Sequence, residues 1–143
     1  RMKSFLEMRG ADGGPWNRIC ALPALWVGLL YDSQALDAAW DVVKDWSMEE
    51  RQALRDSVPK LGLDAPVGGG RKLRDIAREV IDIARSGLAA RARLNGSGDN
   101  ETGYLSFLED VAASGKTNAE RLLDCYHGEW QGNLSRVYAG ESF

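Results

Sequence analysis

Apolar positions recur along this chain at two periods. In the first ten residues they alternate. In Phe5-Leu6-Glu7-Met8-Arg9, Leu6 and Met8 fall on one side of an extended chain, and Glu7 and Arg9 on the other. This predicts a strand over Arg1–Gly10. The stretch Gly10–Pro15 (GADGGP) ends it, because three glycines and a proline in six residues mark a tight loop.

From Trp16 onward the period is helical. Trp16 to Tyr31 is almost continuously apolar and predicts a buried helix. Proline breaks a helix interior, so Pro23 sets the start of its regular part near Leu22. Ser33 is expected to cap a helix running to about Trp46, with Leu36, Ala39, Trp40 and Val43 on one face. Ser47-Met48-Glu49-Glu50 has the form of a capping box, so another helix starts there and is expected to stop before Pro59. Lys60–Gly70 (KLGLDAPVGGG) reads as a loop. Arg71–Leu94 is the clearest helix, with Leu73, Ile76, Ala77, Val80, Ile83, Ala84 and Leu88 in one stripe. Asn95–Asn100 (NGSGDN) is a connection. Glu101–Ser114 is a helix with Tyr104, Leu105, Leu108, Val111 and Ala112 inward. Thr117-Asn118-Ala119-Glu120 opens a last helix, to about Tyr126. The tail from Gly128 has no sustained period.

The expected fold is mainly α: one N-terminal strand and about six helices in a single domain over residues 1–143, with the strand at 1–10 and a loop at 10–16. One strand cannot make a sheet, and its backbone groups need partners. The strand therefore predicts either pairing with another chain or a sheet belonging to a longer polypeptide.

Composition narrows the class. The 143 residues are 44% apolar and 27% charged, which fits a globular chain able to bury roughly 70% of its unfolded surface. The net charge of −3 argues against a nucleic-acid partner, since phosphate backbones reward a basic surface. The longest apolar run, Ala21–Tyr31, is too short to cross a hydrocarbon layer of about 30 Å. It also lacks the basic segment that precedes a signal sequence, so a cytoplasmic chain without membrane contact is expected. Two cysteines and one histidine rule out, within one chain, zinc sites built from four cysteines, from two cysteines with two histidines, or from three histidines. Cys20 and Cys125 are expected to be reduced and buried, with a bridge between them as the alternative.

The densest candidate chemistry is Glu7-Met8-Arg9-Gly10-Ala11-Asp12-Gly13-Gly14-Pro15-Trp16. On a strand, Glu7 and Arg9 share a face about 7 Å apart. A carboxylate and a guanidinium so placed suit a divalent cation beside a phosphate. Glycines let backbone approach a ligand, and Trp16 would wall the pocket. The same spacing fits an exposed strand with an ordinary ion pair, a turn and a core tryptophan.

The run from Phe5 to Asp32 (FLEMRGADGGPWNRICALPALWVGLLYD) resembles the carboxy-terminal third of glutamate–cysteine ligases of the plant and proteobacterial type. Asp45-Trp46-Ser47 with Glu49-Glu50-Arg51, Val58-Pro59-Lys60 with Leu61-Gly62-Leu63, and Gly128-Glu129-Trp130 after Tyr126 extend the resemblance. Asn17 departs from it, since members carry a basic residue there. The resemblance implies a helical carboxy-terminal portion of an α+β, glutamine-synthetase-like ligase, inactive alone. In such an enzyme ATP phosphorylates the γ-carboxylate of L-glutamate, and the amine of L-cysteine displaces the phosphate to give γ-glutamylcysteine for glutathione biosynthesis. It further implies Mg²⁺ ligation for Glu7, a catalytic phosphate or substrate contact for Arg9, and substrate-pocket roles for Trp16 and Asp12. The remainder of the ligase chain is the implied partner. The alternative is a non-catalytic helical interaction module that binds a partner by strand addition through Glu7–Arg9.

Other signals point to structure. Ser114-Gly115-Lys116-Thr117 lacks the first glycine and preceding strand of a phosphate-binding loop, so Thr117 is better a helix cap. Gly68-Gly69-Gly70 fits a surface turn. Residues 71–93 carry seven basic and three acidic side chains, read as a solvated face with Arg71–Asp75 and Asp82–Arg85 pairs. His127 is expected at a helix end, Cys125 has no neighbouring base, and Trp26, Trp40 and Trp46 are expected in helices within the core.

Overall fold

The computed structural model describes residues 4, 10, 11 and 13–141. The predicted strand over Arg1–Gly10 lies, apart from Ser4 and Gly10, outside the described residues.

The fold is mainly α, as the periodicity implies. The described residues form seven α-helices: α1 (Trp16–Leu30), α2 (Ser33–Val43), α3 (Met48–Leu61), α4 (Leu73–Arg91), α5 (Ser106–Ser114), α6 (Asn118–His127) and α7 (Ser135–Glu141). Two-residue strands β1 (Pro66–Val67) and β2 (Arg71–Lys72) pair antiparallel, Pro66 opposite Lys72 and Val67 opposite Arg71. Gly69 and Gly70 make the turn between them at φ 75° and 76°, a region open to glycine. The segment expected as a plain loop is therefore a miniature hairpin.

α4 is the organising helix and packs on α1, α2 and α5. The core cluster is Ala24, Leu29, Ala84, Leu88 and Leu105, with Leu25, Val80, Ile83 and Leu108 packed around it. The α1–α4 crossing is built from small residues. A Cβ on Gly28 would fall under 3.0 Å from the Ala84 carbonyl, and one on Gly87 under 3.0 Å from the Gly28 carbonyl. Ile76, Ala84 and Leu88 of the predicted stripe are buried, and Ile81 and Gly87 join them.

Three arginines along α4 fasten the following segment. Arg78 donates to the Ala112 and Ala113 carbonyls at 3.0 and 3.1 Å, satisfying the free carbonyl end of α5. Arg85 Nε donates to Glu109 at 2.7 Å, and Arg91 pairs with Glu101 at 3.4 Å. The expected local pairs are thus replaced: Arg71 bonds Glu79, and Arg85 bonds Glu109 across the helix interface. A long guanidinium reaches past its i+4 neighbour wherever another element offers an acceptor.

Several boundaries differ from expectation. α1 runs through Pro23 and α3 through Pro59. Pro23 and Ile19, whose carbonyl loses its donor, are both exposed, and so are Pro59 and Arg55; solvent can serve the freed carbonyls. The cap of α2 is Asp32, whose carboxylate accepts the Ala35 N–H at 2.9 Å, and not Ser33. α2 ends at Val43, which leaves Trp46 outside any helix. Glu101–Leu105 is a 3₁₀ turn leading into α5. α7 forms in the tail that carried no period, started by Asn133 accepting the Ser135 N–H at 3.0 Å.

Both predicted capping boxes are present. Glu50 and Ser47 exchange bonds of 3.1 and 2.8 Å, and Thr117 with Glu120 of 3.3 and 2.8 Å. Gly115 ends α5 at φ 72°, so Ser114–Thr117 is a helix–helix joint. The core expectations for tryptophan and cysteine need correction: Trp40 is exposed, Trp26 and Trp46 are half-buried, and Cys20 and Cys125 are free and half-buried. His127 closes α6 as expected, edge-on to Tyr126.

Candidate functional site around the loop before α1

In the sequence, the candidate residues stand in the ten positions that lead into and open α1. Glu7, Arg9 and Asp12 lie outside the described residues. Trp16 is described: it is the first residue of α1, and it is 72% exposed. Pro15 is the N-cap, and its carbonyl accepts the Arg18 and Ile19 N–H groups at 2.9 and 3.2 Å. Proline suits a helix start because its φ is already helical and its missing N–H would have no partner there.

Arg18, two residues further, is a residue the sequence analysis passed over. A Cβ on Gly14 would come within 3.0 Å of the Arg18 side chain, so the loop backbone lies directly on that chain. The guanidinium sits over the Phe107 ring at 5.1 Å and donates to Asn118 Oδ1 at 2.9 Å. Arg121 donates to the same oxygen at 2.9 Å. Arg18 thus ties the loop to α5 and α6. A hollow of about 350 Å³ lies beside it, lined by Phe107, Lys116, Asn118 and Arg121 among others. The signal available in the sequence was only a basic residue two positions after Trp16, because its partner Asn118 is 100 residues away.

Two carboxyl groups near this corner are shifted by their partners. Thr117, through its hydroxyl and its backbone N–H, holds the Glu120 carboxyl below its ordinary range. Lys72, with Arg74 behind it, does the same for Asp64. Among the described residues no group of three or more His, Cys, Asp or Glu side chains is placed to hold a metal ion.

A loop–helix corner with an outward tryptophan, carried on a small helical body, defines no enzyme class by itself. The comparisons with known proteins supply a family. The family described as glutamate-cysteine ligase family 2 matches residues 1–140. The chain is 46% identical over 138 residues to a protein of Medicago truncatula named glutamate–cysteine ligase, chloroplastic, covering 96% of this chain and 26% of that protein. It is 47% identical over 138 residues to glutamate–cysteine ligase A, chloroplastic, of Oryza sativa subsp. indica, covering 96% and 27%. The Nicotiana tabacum glutamate–cysteine ligase, chloroplastic, is 46% identical, covering 96% and 25%.

The chain belongs to glutamate-cysteine ligase family 2. It spans about a quarter of the length of the curated relatives it matches. The expectation of a cytoplasmic chain is corrected by the same finding, since these relatives are named chloroplastic and point to a plastid. Charge, hydropathy and cysteine count carry no organelle address, and a transit segment leaves no trace in the folded body it delivers.

Proposed function

We propose that this chain is the carboxy-terminal portion of an ATP-dependent glutamate–cysteine ligase, a single helical domain that contributes one edge of the active site. The supporting observation is the identity of 46–47% over 138 residues with proteins of that name. The substrates are L-glutamate, L-cysteine and ATP, and the product is γ-glutamylcysteine.

The chemistry explains the residue types. A carboxylate must approach a triphosphate, and the two repel. Mg²⁺ supplies the charge that offsets this repulsion. In this reading Glu7 is one carboxylate of the metal set, the others coming from the rest of the ligase. Arg9 meets the phosphoryl oxygens as charge redistributes, its planar fork suited to two oxygens at once. Asp12 shapes or contacts the substrate pocket, and Trp16 offers an aromatic wall. Arg18 fixes the loop that carries them.

The test is a coupled ADP-release assay with glutamate, cysteine and Mg·ATP on two proteins. The 143-residue chain alone is expected to be silent. The Medicago truncatula relative, with its matched segment replaced by this chain, is expected to be active. Turnover by the chain alone, or a folded but inactive replacement, would refute the reading.

A further inference from the structure

α1 is apolar on both sides. Its buried side is Ala21, Ala24 and Gly28, packed on α4. Helical spacing puts Trp16, Ile19, Pro23 and Leu30 on the opposite side, and that side is partly exposed: Trp16 is 72%, Ile19 41% and Leu30 47% exposed. From Ile19 through Tyr31 the sequence has no charged side chain at all. α2 repeats the pattern, with Leu36 and Trp40, four residues apart, 44% and 59% exposed. A helix at a true protein–water boundary carries polar residues outward. Apolar faces of this kind mark contact surfaces.

We infer that the outer face of α1, continued by Leu36 and Trp40 of α2, is the surface on which the rest of the ligase polypeptide docks. The inference rests on the ligase reading above. Two observations name the occupant. The matched relatives hold about three quarters of their length outside the segment this chain matches, so a large body of polypeptide is available to cover the face. The stripe also begins at Trp16, directly after the candidate site loop, and whatever completes that site comes within reach of this end of α1. A lipid occupant fits less well. No single described helix is long and apolar enough to cross a membrane, and α1 with α2 qualifies only as a pair bent by 94°.

The experiment is hydroxyl-radical footprinting read by mass spectrometry at Ile19, Leu30, Leu36 and Trp40. It compares the 143-residue chain with the Medicago truncatula relative carrying this chain in place of its matched segment. Several-fold lower oxidation in the hybrid is expected. A second measurement uses Ile19→Gln with Leu30→Gln, which is expected to lower the melting temperature of the hybrid and leave that of the isolated chain unchanged. Equal oxidation in both proteins overturns the inference. So does protection of the isolated chain that vanishes on dilution, which assigns the face to a second copy, or protection that appears only with phosphatidylglycerol vesicles, which assigns it to lipid. Ligase activity of the hybrid reports separately: a protected but inactive hybrid sinks the ligase reading alone, and an active but unprotected one sinks the docking face alone.

Discussion

The Gly87 Cα of α4 faces the Gly28 carbonyl oxygen of α1 so closely that a Cβ on Gly87 would fall under 3.0 Å from that oxygen and 3.0 Å from the Ala35 methyl. Two backbones meet there without side chains between them. Gly87→Ala is therefore expected to destabilise the chain, although alanine gains about 1 kcal/mol of helix propensity over glycine. The clash is with backbone, which cannot swing aside, and overpacking costs typically about 1–3 kcal/mol. The expected net effect is a loss of up to about 2 kcal/mol in urea unfolding followed by circular dichroism. Gly103→Ala, where the new Cβ meets nothing within 4 Å, is the control and should be near neutral. An unchanged midpoint for Gly87→Ala would show that α1 and α4 do not cross as described.

The Thr117–Glu120 box predicts a pH dependence at the start of α6. The Glu120 carboxyl titrates below its ordinary value of 4.5 in the folded chain, chiefly because the Thr117 hydroxyl and then its N–H bind the charged form. A depressed folded value means the stabilisation is present above the unfolded value and is lost as pH falls through the folded one. Amide exchange in the first turn of α6 should therefore accelerate as pH drops from the ordinary carboxyl value of 4.5 through the lower folded one, once the intrinsic pH dependence is divided out. Glu120→Gln should flatten that acid response, and Thr117→Ala should cost about 1 kcal/mol at neutral pH. An acid response that survives Glu120→Gln would place its origin elsewhere.

What was legible in the sequence was local. Ser47 with Glu50 and Thr117 with Glu120 stand three residues apart, and both boxes formed. The stripe of α4 was legible because burial on a long helix repeats. What failed depended on surroundings. Pro23 and Pro59 were expected to break helices, but whether a freed carbonyl is costly depends on exposure, which is a tertiary property. Asp82 was expected to hold Arg85, but Glu109, 24 residues away, does. Trp40 was expected in the core because its spacing is right for a buried face, and the spacing is equally right for a face that another body covers. Of the candidate site, Glu7, Arg9 and Asp12 lie outside the described residues, Trp16 stands exposed at the start of α1, and Arg18 went unnoticed because its partners are remote in sequence.

Arg78 is the residue through which α4 holds the carboxyl end of α5. It donates to two successive carbonyls, Ala112 and Ala113, that lack helical partners. Arg78→Met keeps much of the stem and removes both bonds. The expected cost is about 1–2 kcal/mol, given net values of about 0.5–1.5 kcal/mol per ordinary hydrogen bond and somewhat more for charged donors. Arg85→Met removes a more exposed ion pair with Glu109 and should cost less, under about 1 kcal/mol. Equal costs in urea titrations of the two variants would mean that capping the α5 carbonyls contributes nothing beyond surface charge.

The roles proposed for Glu7, Arg9 and Trp16 separate in kinetics, measured in the hybrid ligase that carries this chain. Glu7→Gln keeps shape and loses charge, so it should weaken the response to Mg²⁺ and lower turnover by about two orders of magnitude or more, with the melting temperature unchanged. Arg9→Lys keeps charge and loses the fork, so turnover should fall although the site stays cationic. Trp16→Ala is the informative third case. At 72% exposure the ring contributes little to the stability of the isolated chain, so that chain should unfold at its original midpoint. If the ring walls the substrate pocket, the hybrid should show a raised KM for an amino-acid substrate. If the ring only packs against the rest of the ligase, the hybrid should instead lose thermal stability at constant KM. Wild-type kinetics in Glu7→Gln and Arg9→Lys together would remove the acid and the guanidinium from the reaction, and with them the reason for placing an active-site edge on this segment.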